Sequence, residues 1–306
     1  MQERTSFPLR RTRDFGETIS DTTLFLKENW KQLLLLYMIF VVPFLLLGTL
    51  LGAQHFPSFF SGLTQGMPDV RKLLAMFGPQ LLITILLYMT AAVLYPTTVY
   101  VYMRLFESGG GRRPALGECA AMLFGKSTSN FGYALLSMLL FILTAVLAVI
   151  PFFGIIAVFF GVFFLLINFS VLLPVNTIED NPFPDSLRRA FRLVKERWWL
   201  TLGVATVIFM IYYFFASIIG FTSMMISGIA SVNFLDPKAG MGMFSKKYFL
   251  VTGFSTILQQ AFYLILHVGL GIHYFSLCEE KDGSGLEAQL DSLGTGGPGS
   301  RTEEQY

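Results

Sequence analysis

Residues 33–52 read LLLLYMIFVVPFLLLGTLLG. A helix crossing a hydrocarbon core of about 30 Å needs roughly 20 apolar residues, and this stretch supplies them without a single charge. Five further runs follow. Residues 80–103 carry Pro96, and 131–150 and 152–174 are parted only by the turn around Pro151 and Gly154. The next run starts at Trp199 and stays apolar to about Ala230, and the last spans 249 to about 277. Six transmembrane helices are predicted, paired as three hairpins. The run from Trp199 is too long for one upright crossing, so it must tilt, break near Gly220 or continue along the interface. Pro43 and Pro96 are expected to kink the first two spans.

The rest of the chain agrees with a membrane class. Of 306 residues, 54% are hydrophobic and 14% charged, against about 45–50% and about 25% in soluble domains. That excludes a disordered chain and fits a soluble enzyme poorly. Bases and acids nearly cancel, 22 against 20, so no bulk charge points to nucleic acid. Two cysteines, Cys119 and Cys278, are too few for a disulfide framework or a structural zinc site. With six spans and a cytoplasmic N-terminus, 17 Lys and Arg fall inside and 5 outside. The asymmetry predicts both termini in the cytoplasm. Residues 1–14 form a basic N-terminus without signal-peptide character. Residues 15–278 form the membrane domain, and 279–306, rich in Gly, Ser and acids, read as a disordered tail.

An internal repeat refines this architecture. FGETISDTTLFLKENWKQLL at 15–34 aligns with FPDSLRRAFRLVKERWWLTL at 183–202, so that LKENW at 26–30 meets VKERW at 194–198. A weaker copy starts near 116, where Gly117-Glu118 and Asn130-Phe131 match Gly16-Glu17 and Asn29-Trp30. Each copy precedes a hairpin, which predicts three units of amphipathic interfacial helix plus two spans. At about 100° per residue, Leu187, Ala190, Phe191, Val194 and Trp198 form an apolar stripe, and Ile19, Thr22, Thr23, Leu26 and Trp30 a less apolar one. Arg188, Arg189, Arg192 and Lys195 flank the former and are expected to meet anionic lipid headgroups. Cys119 falls on the second such helix.

Chemistry is sparse. No Asp, Glu, Lys or Arg lies inside any predicted span, which speaks against ion-coupled transport. Asn168, Gln259, Gln260 and His267 are candidates for an intramembrane polar site or for interhelical hydrogen bonds. His267 and His273 stand six apart and face different sides of a helix, so they cannot share a metal; no metal or cofactor is expected. Residues 120–127, AAMLFGKS, mimic a P-loop, but bulky apolar residues replace the flexible glycine loop that wraps phosphate. No nucleotide is expected there. Gly109–Gly111 beside Arg112 and Arg113 reads as a hinge. Catalytic motifs are missing from the sequence, and a non-enzymatic protein is expected. Small residues at Ala157 and Gly161, and at Ala216 and Gly220, are spaced for close helix packing. The aromatic segment 53–78, with His55, Phe56, Phe59 and Phe60, is expected to lie on the bilayer surface or cap the bundle.

FGE at 15–17 with LKENW, VVPF at 41–44 and LCEEKDGSGL at 277–286 together resemble a bacterial family of uncharacterised six-helix integral membrane proteins. That family is distantly similar to the membrane domain attached to some glycerophosphodiester phosphodiesterases. The resemblance covers about 10–290 and implies an all-α bundle in the bacterial cytoplasmic membrane. It carries over no catalytic residue, and no phosphodiesterase domain is present. Two functions are weighed, the first as the expected one and the second as its alternative. One is organisation of lipid or of a membrane-protein partner by the basic interfacial helices; the other is a small-solute or lipid permease with its pathway between the hairpins. A continuous polar cavity reaching the midplane around Asn168 and Gln259 would favour the permease, and a bundle packed dry by aromatics the organiser.

Overall fold

The computed structural model describes residues 7–64, 78–146, 153–181, 183–231 and 246–283, and within them the only regular structure is helical. In chain order the helices are α1 (Phe15–Phe40), α2 (Val42–Thr64), α3 (Pro79–Ser108), α4 (Leu116–Val146) and α5 (Phe153–Glu179). They continue as α6 (Phe183–Lys195), α7 (Trp198–Ser231), α8 (Lys246–Ala261) and α9 (Tyr263–Asp282).

α1 begins in a capping box. The Glu17 amide donates to Asp14 Oδ1 at 2.7 Å, and the Asp14 amide donates to Glu17 Oε2 at 3.0 Å. It ends at Phe40 because Pro43 cannot donate to the carbonyl of Ile39 and its ring crowds that group. The chain bends there by 45° into α2. α9 closes on Gly283, whose φ of 65° lets its amide reach back to the Glu279 carbonyl at 2.9 Å.

Among the described residues, three segments are long and apolar enough to cross a membrane: Pro79–Ser108, Trp198–Ser227 and the near-continuous Lys246–Asp282. The bent pair α1–α2 is a fourth if it counts as one span. The predicted third and fourth spans occupy parts of α4 and α5, and the turn joining them lies outside the described residues. The long run from Trp199 is one helix. α7 passes through Gly220 without a break and measures about 51 Å at about 1.5 Å per residue.

The interfacial helices differ from expectation. Only α6 is separate, parted from α7 at Glu196 and Arg197. In the first two copies helix and span are continuous through NWKQL at 29–33 and KSTSNF at 126–131. The buried face of α1 is also rotated, to Thr18, Thr22, Phe25, Asn29 and Leu33; of the expected stripe only Thr22 is buried. Residues 53–64, the first part of the aromatic segment, extend α2, and Phe56 packs on Phe249 with ring centroids 5.5 Å apart. The end of that segment and the tail beyond 283 lie outside the described residues, and so does the side chain of Ala157.

α9 is the axis of the bundle. Every residue from Leu266 to Glu279 is buried, packed among α1, α3, α5, α6, α7 and α8. Three side-chain hydrogen bonds tie helices leaving the charged end to helices returning to it. Tyr102 donates to Asn29 Oδ1 at 2.8 Å, Asn130 Nδ2 donates to Thr177 Oγ1 at 2.9 Å, and Thr201 and His273 Nε2 share a bond of 3.0 Å.

Close packing falls at other glycines than expected. A Cβ on Gly253 would lie 2.2 Å from Thr49 Cγ2, so only glycine lets α2 and α8 approach as they do. At Gly220 a Cβ would stand 3.6 Å from the Gln259 amide, an ordinary contact. Gly253→Leu should therefore destabilise the protein by about 1–3 kcal/mol through overpacking, whereas Gly220→Ala should be nearly neutral. Thermal unfolding of both variants in detergent micelles checks the contrast.

Candidate functional site

Two regions concentrate functional side chains: a belt of ion pairs at one end of the bundle and a half-open cavity between the helices. The belt follows from helix electrostatics. α3, α5 and α9 all deliver carboxylates to their C-terminal ends, where the helix dipole is already negative. Each is met by a base. Arg10 pairs with Glu107, Arg104 and Lys126 with Asp180, and Arg197 with Glu280; Lys281 pairs with Glu196. Asp180 sits just past α5 with φ 60°, a left-handed turn that Asp tolerates, and this presents its carboxylate to both bases. Upstream, the Arg13 guanidinium is wholly buried and donates to Asp21 at 2.7 Å and to the carbonyls of Leu9 and Pro8, each at 2.7 Å. Burial draws its pKa below the ordinary value, against the opposing pull of Asp21.

The expected lipid-facing bases divide. Arg188 is 83% exposed, and Arg192 and Lys195 are exposed as well. Arg189 is turned inward, only 12% exposed, and donates to Glu179 at 3.1 Å and to Asp282 at 3.0 Å. The stripe that α6 buries is Ser186, Ala190, Leu193 and Val194, which leaves Phe191 and the neighbouring Trp199 exposed, the latter at 79%. Trp30 is likewise exposed on α1, so aromatic rings mark the same level as the bases.

The P-loop-like segment is continuous helix within α4, with Lys126 in the ion pair to Asp180 and Ser127 donating to the Leu123 carbonyl at 2.6 Å. Cys119, on the same helix, is buried.

The cavity, about 840 Å³, lies beside α9 where four chain segments lose regularity. α8 gives way to α9 at Phe262, whose amide bonds to the Gln259 carbonyl at 3.1 Å in a tighter turn. Pro96 in α3 and Pro174 in α5 deprive the carbonyls of Ala92 and Ser170 of their usual donors, and both of those residues line the cavity. The α1–α2 bend puts Val41 in the wall. Two tyrosines stabilise the break: Tyr37 donates to the Ile257 carbonyl at 2.7 Å and Tyr95 to the Gln260 carbonyl at 2.6 Å.

Six tyrosines line this space: Tyr88, Tyr95, Tyr100, Tyr212, Tyr213 and Tyr263. With them stand Thr256, Gln260 and His267, and none of the lining residues is Asp, Glu, Lys or Arg. The His267 ring is enclosed by Tyr263, Tyr95 and Tyr100, with centroids at 4.7, 5.3 and 6.0 Å and steep interplanar angles. Both of its ring nitrogens are buried without a hydrogen-bond partner among the described residues.

Of the intramembrane polar residues marked in the sequence, the cavity gathers Gln260 and His267. Asn168 instead donates to the Phe164 carbonyl one turn back at 2.8 Å, and Gln259 donates to Ser255 at 2.9 Å. The tyrosines were missed. Spread over α2's neighbour α3, α7 and α9, they share no local spacing, and their only signal is a Tyr content of 12 concentrated in apolar runs. Comparison with protein-family models, with curated proteins and with solved structures finds no match.

The belt generates a pH test. Arg104, and after it Lys126, hold the Asp180 carboxyl down at about 2, below the roughly 3.9 of an unfolded Asp. The pair's contribution is thus full above about pH 4 and is lost as pH falls through about 2. Because Asp180 is half exposed, it is worth about 1 kcal/mol or less. Asp180→Asn should lower thermal stability at pH 7, with the difference from the parent closing near pH 2; unfolding curves at pH 7, 4 and 2.5 read it directly.

Proposed function

We propose that this chain is a non-enzymatic multi-pass membrane protein that acts as a small-solute or lipid permease, its pathway beginning in the tyrosine-lined cavity between the helix hairpins. The observation that carries this reading is the cavity itself. It is amphiphilic rather than dry, and its volume lies within the roughly 300–1,000 Å³ of ligand pockets. A broken helix and proline-loosened neighbours surround it, the construction by which membrane proteins place ligand groups at mid-depth.

The remaining architecture of the proposal is six spans in a bacterial cytoplasmic membrane with both termini inside. The placement of 17 of the 22 bases on one side supports the orientation. The hydrogen bonds that Asn29 and Asn130, matched by the repeat, make to returning helices support the relation of the first two copies. The likeness to the six-helix bacterial family rests on its motifs.

The permease reading is tested by native mass spectrometry of the protein released from mild detergent. The parent should retain a small amphiphile, and Ala92→Trp, which fills the cavity from α3, should lose most of it while unfolding at a similar temperature. Equal retention by the variant would sink the reading.

The second reading, organisation of anionic lipid or of a partner at the inner leaflet, is favoured by the exposed bases of α6 beside Trp199. It concerns a different surface and is compatible with the first. Changing Arg188, Arg192 and Lys195 together to Glu should reduce the number of phosphatidylglycerol molecules retained by the purified protein. A variant that also carries Arg189→Glu should in addition unfold at lower temperature, because Glu179 then loses its base. Phosphatidylglycerol counts from mixed-lipid nanodiscs decide the first point and thermal unfolding the second.

A further inference from the structure

The donors left over inside the cavity identify the chemistry of its ligand. Tyr37 and Tyr95 spend their hydroxyls on the carbonyls of the α8–α9 break, and Tyr88 shares its hydroxyl with Thr49 at 3.2 Å. No hydrogen bond joins the hydroxyls of Tyr100, Tyr212, Tyr213 and Tyr263 or the side-chain amide of Gln260 to the described residues, and both nitrogens of His267 are buried without a partner among them. A neutral imidazole always carries one N–H, so the wall holds side-chain donors in excess, that of His267 among them. His267 is more than nine-tenths buried, and Tyr100 is 1% exposed. An imidazole so buried and unmet is costly in a medium without water, and native structures leave few such groups. A bound molecule with acceptor oxygens removes the cost.

Charge narrows the class further. With no ionised side chain in the lining, a phosphate, carboxylate or ammonium head would be stripped of water and given no counter-charge. The aromatic and aliphatic remainder of the wall, including Val41, Leu45 and Leu270, suits an apolar body. We propose that the cavity binds an uncharged lipid whose polar part presents carbonyl oxygens, held by Tyr100, Tyr263 and His267. This rests on the ligand-binding reading of the cavity given above and names the class of molecule it takes. Two sources share the chemistry: an ester-linked glycerolipid without a phosphate head, and an isoprenoid quinone. They differ in that the glycerolipid also carries a hydroxyl, which the backbone carbonyls loosened by Pro96 and Pro174 can accept from.

Photo-cross-linking of the full chain in phosphatidylcholine nanodiscs tests the proposal. Diazirine probes of a diacylglycerol, a quinone, a phosphatidylglycerol and a long-chain fatty acid are compared, with labelled peptides mapped. Labelling of α3 around Tyr88–Tyr100 and of Thr256–Leu270 by the diacylglycerol or the quinone, in preference to both charged probes, supports the proposal and assigns the source. Tyr100→Phe with Tyr263→Phe removes two hydroxyls at almost constant shape and should weaken the favoured probe roughly tenfold. Equal labelling by the charged probes, or unchanged affinity in the double Phe variant, overturns the carbonyl-lipid class while leaving a ligand-binding cavity in place. Labelling of these peptides by none of the four probes overturns the cavity reading as well.

Discussion

Every residue of α9 from Leu266 to Glu279 is shut away from both bilayer and water, so each polar group on that helix must find its partner within the protein. The other helices are arranged around this requirement. His273 meets Thr201 of α7, the Ser276 hydroxyl accepts from the Arg13 amide at 2.8 Å, and Tyr274 donates to Glu179 of α5 at 2.9 Å. Each bond fixes the rotation and depth of a different neighbour about the axis. An unpaired group at any of these places would cost on the order of several kcal/mol in hydrocarbon. His267 is the member of the series without a partner, and it is the one that borders the cavity.

The two ends of α9 are built to contrasting rules. At its C-terminal end, acids from three returning helices and bases from α4, α6 and the N-terminal segment form a cross-braced belt. Helix dipoles make the acids unfavourable alone and the pairs favourable together. At its N-terminal end the regular backbone is interrupted by Pro43, Pro96, Pro174 and the turn at Phe262, and tyrosine hydroxyls take over from main-chain amides. Close packing at Gly253 and the freed backbone beside it place rigidity and adjustability within one bundle.

The features legible in the sequence were those with a local physical cause. Apolar runs mark helices long enough to cross a membrane, and Pro43 marks the 45° bend. Gln260 and His267 stood out as polar residues in apolar surroundings. Features set by a distant partner were not legible. Arg189 has the same helical periodicity as its exposed neighbours, and its inward turn follows from Glu179 and Asp282, ten and ninety-three residues away. Asn168 looks like an interhelical residue, but an Asn side chain in a helix can also satisfy itself on the carbonyl one turn back. The rotation of the α1 face shows the same limit: Thr18, Thr22 and Asn29 are mildly polar by composition, yet they pack inward because Tyr102 and their own backbone satisfy them.

By itself, then, the sequence determined the membrane class, the approximate helices and the one-sided placement of charge, because hydrophobic length and charge exclusion act residue by residue. Only the tertiary structure decided that α9 is the axis, that Arg189 braces the protein rather than facing lipid, and that tyrosines from separate helices enclose a single uncharged cavity. Those outcomes depend on which buried polar group meets which partner, and that pairing comes into being only when helices distant in the chain are packed together.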